Sequence, residues 1–145
     1  MKKSHRLSSL VRLEKAKERE EARKLVEFQK ILKDGRKRLT DLEAYLEEYL
    51  KKFGVLASRG AEVRKIRSNY TFISQLNTAI VQQQRTVREL ETAANEYRQN
   101  WLHAKQRMDI LNKAISKFHD EELRYEQKKE QLLADEIARH KLWID

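Results

Sequence analysis

The chain has no proline, no cysteine and only three glycines among its 145 residues. Without proline, nothing interrupts the backbone by removing an amide donor, so long uninterrupted helices are permitted. Without cysteine there can be no disulfide, thiolate metal site or thiol nucleophile, which fits a reducing compartment. Long apolar runs are missing too. No stretch approaches the roughly 18 apolar residues that a transmembrane helix needs. The basic start Met1-Lys2-Lys3-Ser4-His5-Arg6 resembles the head of a signal peptide, but Arg12 and Glu14 interrupt the region after Leu7 before an apolar segment forms. The expected location is therefore cytoplasmic.

Catalytic patterns are also lacking. His5, His103, His119 and His140 have no metal-ligand spacing, and no glycine-rich phosphate loop or nucleophile elbow occurs. The run His119-Asp120-Glu121-Glu122 fans around a helix axis and does not converge on one ion. The expectation is a protein that is not an enzyme and carries no cofactor or metal.

What the chain does have is charge and helix-forming residues. Charged residues make up 38% of it and hydrophobic ones 39%, enough to bury a narrow stripe but not a thick core. The net charge of +9 is unevenly spread. Residues 1–24, 51–67 and 98–118 carry +5, +5 and +4, while the tail 119–145 carries −3. Separate basic zones suit distinct docking surfaces better than one continuous nucleic-acid stripe. A basic coiled-coil nucleic-acid binder is thus a weaker alternative, since no helix shows a Lys/Arg face with aromatic platforms.

The apolar residues follow a strict seven-residue repeat. From Ile66 the first core position reads Ile66, Ile73, Ile80, Val87, Ala94, Trp101, Met108 and Ile115; the second reads Asn69, Leu76, Gln83, Leu90, Tyr97, Ala104, Leu111 and Phe118. Such a seam needs a partner helix along its length. A second repeat precedes it, with Leu25, Leu32, Leu39, Leu46 and Phe53 alternating with Phe28, Gly35, Leu42, Tyr49 and Leu56. Gly54 and Gly60 lie between the two and mark the break. Two seams joined by a short turn run antiparallel. The fold class is therefore all-α: a long antiparallel two-helix coiled-coil hairpin whose second helix is the longer. The expected organisation is one hairpin over residues 1–145, with helix 1 at about 5–53, a turn at about 54–62 and helix 2 at about 65–141.

In this register Leu32 meets Val87, Leu25 meets Ala94, and Gly35 falls beside Gln83 or Gln84. N-terminal to Leu25 the slots hold Glu14, Glu18 and Glu21, so a stutter or loosened coil is expected there. Helix 2 outruns its partner beyond about residue 118, leaving Tyr125, Leu132, Ile137, Leu142 and Trp143 uncovered unless another protein occupies them. Beside the seam, near the turn, Tyr45 and Phe72 widen the apolar surface. With Leu42, Tyr49, Leu76 and Ala79, rimmed by Arg38 and Gln83, they form a patch with the composition of an interaction surface.

The segments Leu39-Thr40-Asp41-Leu42-Glu43-Ala44-Tyr45, Glu48-Tyr49, Asn69-Tyr70, Phe72-Ile73, Ala79-Ile80, Trp101 with Lys105-Gln106-Arg107, and Glu126-Gln127-Lys128-Lys129-Glu130 resemble the FliJ family of the bacterial flagellar type III export apparatus. The resemblance covers nearly the whole chain. It implies a stalk protein that inserts into the hexameric export ATPase, engages the cytoplasmic domain of the export gate and is linked to export chaperones. It also implies peripheral association with the inner-membrane export apparatus. The family's gate-binding surface carries over onto Leu42, Tyr45, Tyr49, Phe72, Leu76 and Ala79; at its rim Arg38 and Gln83 stand where Gln or His is frequent in the family. The ring-inserting end carries over onto residues 1–24 and the helix beyond about 105, where Arg6, Arg12, Lys15, Lys105 and Arg107 are the candidate contacts. The free protein is expected to be monomeric. The equivalent stalk of a virulence injectisome is the alternative within the same class, and a self-associating structural coiled coil lies outside it.

Overall fold

The structure is a computed structural model that describes residues 3–60 and 62–144. It consists of two helices, α1 (Lys3–Ser58) and α2 (Val63–Ile144), packed against each other as an antiparallel hairpin. The second helix is the longer, with 82 residues against 56. The contacts divide into two compact units. A turn unit spans Ala22–Asn100, and a terminal unit combines the chain up to Glu21 with the chain from Trp101 onward.

In the turn unit, the repeat read from the sequence is the covered face. Leu25, Leu32, Ile73, Ile80, Val87 and Ala94 are buried; Leu39 and Leu46 of the same series and the alternating positions Phe28, Leu42, Leu76, Leu90 and Tyr97 are half-buried. Leu32, Val87 and Ala94 form one cluster, with Phe28, Leu39 and Leu90 packed onto it. The Phe28 and Tyr97 rings meet with centroids 4.8 Å apart. The pairing of Gly35 with glutamine follows the expected register: Gln83 Nε2 donates to the Gly35 carbonyl at 3.0 Å. A Cβ on Gly35 would lie 3.0 Å from Leu90 Cδ1, so the absent side chain is what lets Leu90 lie so close. One interhelical ion pair, Arg36 Nη2 to Glu91 Oε1 at 3.2 Å, flanks the seam, and both side chains are about half exposed. Exposed pairs of this kind contribute little, on the order of 0–1 kcal/mol, so the apolar seam dominates.

The helix break is sharper than glycine content suggests. α1 runs through Gly54 and stops at Ser58. A single exposed glycine costs a helix only about 1 kcal/mol, and Phe53 and Leu56 remain half-buried on either side of it, which offsets that cost. The stop is set by Gly60, whose φ of 70° no other described residue shares in sign. Its amide donates to the Ala57 carbonyl at 3.4 Å, as in a Schellman-type cap. Glu62 then starts α2: its carbonyl accepts from the Lys65 and Ile66 amides at 3.0 and 3.2 Å.

In the terminal unit no stutter occurs, contrary to the expectation. Leu7 is half-buried and Val11 is buried, while Leu10 and Leu13 point to solvent. Glu14, Glu18 and Glu21 stand half-buried in the intervening seam slots. The repeat therefore continues with glutamates in it: Trp101 and Arg107 on α2 offer donors to Glu18 and Glu14, while Glu21 Oε2 is buried and accepts no hydrogen bond. Ala104 has no exposed surface, the lowest exposure among the described core residues. Past Phe118 the α2 side chains are largely uncovered, and among the described residues no helix is long and apolar enough to cross a membrane.

The two glycines of the turn region should respond oppositely to alanine. Gly54→Ala should raise stability by about 0.5–1 kcal/mol, since it lies in an exposed helix with nothing within 4 Å of a new Cβ. Gly60→Ala should lower stability by about 1 kcal/mol or more, because its positive φ strains any L side chain. Thermal unfolding followed by circular dichroism reads both signs.

Candidate partner-binding surface

Side chains that stand proud of a two-helix seam are either bystanders or contacts for something else. In the turn unit the eight residues of the expected patch sort into two sets. Leu42, Tyr49, Leu76, Ala79 and Gln83 are half-buried members or close neighbours of the seam. Tyr45 and Phe72 lie outside it, 56% and 39% exposed, and Arg38 is exposed at the rim.

The structure brings Tyr49 and Phe72 together across the two helices, with ring centroids 4.5 Å apart and planes inclined by 45°. That geometry is a favourable tilted aromatic contact. It fixes Phe72 in place while leaving much of the ring open. Lys52 Nζ lies 5.2 Å from the Tyr49 ring centroid, within cation–π range. Gln83 turns its amide into the seam toward Gly35, so the carboxamide nitrogen is already used. Its role is register, and the open part of the patch is carried by Tyr45, Phe72 and Arg38.

In the terminal unit the five candidate basic residues also divide. Arg107 Nε pairs with Glu14 Oε2 at 3.4 Å. Lys105 Nζ sits 5.3 Å from the centroid of Trp101. Arg6 also takes part in contacts within the chain. Arg12 and Lys15 are exposed and form no ion pair with any described residue. Two of the five thus project into solvent with no ion pair among the described residues.

Sequence reasoning missed the acidic seam. Trp101 Nε1 donates to Glu18 Oε1 at 2.8 Å, and the Glu14 side chain is only 16% exposed. The signal was present: a tryptophan at a core position needs an acceptor for its indole N–H. The register that places Leu32 opposite Val87 also places Glu18 opposite Trp101. At the outer margin Lys3 Nζ lies 5.5 Å from the Phe118 ring centroid. Phe118, Tyr125 and the stems of Glu122 and Lys129 line an open hollow of about 410 Å³ beside it.

The class the fold defines is a two-helix coiled-coil hairpin, with exposed aromatics beside an apolar seam. A family model described as flagellar FliJ protein matches residues 2–143. The chain belongs to the FliJ family and is a flagellar export-associated protein. Neither the curated proteins nor the solved structures yield a significant match.

Removing the indole donor should test the acidic seam. Trp101→Phe should cost about 1 kcal/mol or more in urea denaturation, because the Glu18 carboxylate loses its partner in a half-buried slot. Glu18→Gln, which keeps an acceptor, should cost less than Trp101→Phe.

Proposed function

We propose that the chain is a non-enzymatic stalk protein of flagellar protein export. It contacts the hexameric export ATPase through the terminal unit and the cytoplasmic domain of the export gate through the turn unit. It works in the cytoplasm, peripherally associated with the inner-membrane export apparatus, and takes part in handling export chaperones. The observation that carries the reading is the exposed pair Tyr45 and Phe72 beside a covered seam, within a chain of the FliJ family.

Aromatic side chains left open beside a rim arginine match the anchors that dominate protein interfaces. Phe72 is held by Tyr49, so little side-chain entropy is lost when a partner covers it. Arg12 and Lys15, which form no ion pair with any described residue, supply charge that acidic loops of a ring can meet. α1 and α2 each run as one uninterrupted helix.

Replacing Tyr45 and Phe72 with Ala should weaken binding to the gate domain by about tenfold or more for the pair, with far-ultraviolet helicity unchanged. Calorimetric titration reads the affinity. Loss of helix in these variants would assign both residues to the core instead. Arg12→Gln with Lys15→Gln should lower ATPase affinity by about two- to tenfold and flatten its salt dependence, while gate binding stays the same. An unchanged ATPase affinity and salt slope would remove these two residues from that contact.

A further inference from the structure

The tip of the hairpin carries an unusual mixture that neither proposed contact uses. Residues 51–67 hold Lys51, Lys52, Arg59, Arg64, Lys65 and Arg67 against the single acid Glu62. All six cations are exposed. Lys51 and Lys52 have partners one turn back, Glu47 at 3.6 Å and Glu48 at 3.5 Å. Arg59, Arg64, Lys65 and Arg67 form no ion pair with any described residue. Interleaved with them are Leu50, Val55, Val63 and Tyr70, whose exposures run from 49% to 69%. The seam itself is still covered here by Phe53, Leu56 and Ile66. The exposed apolar groups are therefore a second set, not a frayed core.

From this juxtaposition of unpaired cations and open aliphatic side chains around one helical turn, we infer that the hairpin tip docks on the surface of a bilayer rich in anionic lipid. Cations near such a surface each gain roughly fivefold in binding, and the effect fades within a Debye length. The aliphatic side chains distinguish the occupant. Nucleic acid would reward the cations but gives Val55, Val63 and Leu50 nothing to pack on, since bases stack on aromatic rings. A bilayer rewards both: phosphates at the headgroup level and apolar volume just beneath, with Tyr70 suited to the boundary. Val55 and Val63 lie within three residues of the helix ends that flank the turn, so shallow insertion needs no unfolding. The turn also presents only one carboxylate to repel the surface. A tip seated on lipid would hold the neighbouring Tyr45 and Phe72 surface close to the membrane, but the lipid contact does not depend on that surface.

Vesicle flotation with the full chain tests the inference. The probes are vesicles of phosphatidylcholine mixed with phosphatidylglycerol, and of phosphatidylcholine alone. Binding should require phosphatidylglycerol and weaken as salt rises. Arg59→Gln, Arg64→Gln, Lys65→Gln and Arg67→Gln combined should lower it by at least about tenfold. Val55→Ser with Val63→Ser should lower it by roughly fivefold or more, with the salt slope unchanged. Tyr45→Ala and Phe72→Ala should leave it intact, which separates this contact from the gate contact. Circular dichroism of each variant should show full helicity. Three results would overturn the inference. They are no binding of the intact chain to phosphatidylglycerol vesicles, equal binding after the four cations are neutralised, and equal binding of duplex DNA and vesicles with no effect of the valine changes.

Discussion

Everything in this molecule depends on the apolar seam between α1 and α2. Among the described residues no sizeable side chain is fully enclosed; apart from Ala104, the best-covered ones keep 6–9% of their surface in contact with solvent. Two helices can shield a stripe but cannot surround it. Each covered side chain therefore contributes part of the roughly 1.5–3 kcal/mol that full burial of a Val, Leu or Ile provides. Stability has to come from repetition, which is why the heptad persists over so many turns. An error in register would misplace every pair at once. Gly35 opposite Gln83 guards against that: the glycine admits Leu90, and the glutamine amide binds the carbonyl left uncovered there.

The seam is not uniform, and its variation follows its two units. In the turn unit it is aliphatic and aromatic, centred on Leu32, Val87 and Ala94. In the terminal unit glutamates occupy successive slots and are met by an indole N–H and a guanidinium. Such polar pairing gives less net stabilisation than methyl groups of equal volume, while breaking one partner away is costly. The terminal unit thus adds directional contacts at its glutamate slots to the packing of Val11 and Ala104. The open aromatics belong to the packed unit, where their positions are held by neighbours such as Tyr49.

Most of the fold was legible because a seven-residue period is a strong signal and survives polar exceptions. Every seam position from Ile66 to Phe118 is covered to some degree in the structure, including Asn69 and Gln83. Two features were read less well, for identifiable reasons. Glutamate is a poor indicator of a core slot, so Glu14, Glu18 and Glu21 looked like a break in the pattern, although Arg107 and Trp101 are the complement of Glu14 and Glu18. Two nearby glycines do not say which of them ends a helix: Gly60 sets the stop, while backbone preference at Gly54 is outweighed by the covered Phe53 and Leu56. The patch was legible in outline from heptad position. Which members stay open was not, since the Tyr49–Phe72 contact and the inward turn of Gln83 depend on side-chain rotamers that no sequence pattern specifies.

The central claim is that the chain pairs with itself in this register. Spin labels on cysteines replacing Arg36 and Glu91 test it most directly, as those side chains form the interhelical ion pair and the chain has no other thiol. With labelled protein diluted into an excess of unlabelled chain, the spectrum should show strong dipolar broadening. Broadening that vanishes on dilution, or never appears, would contradict the account, because the seam would then be formed between molecules or in another register.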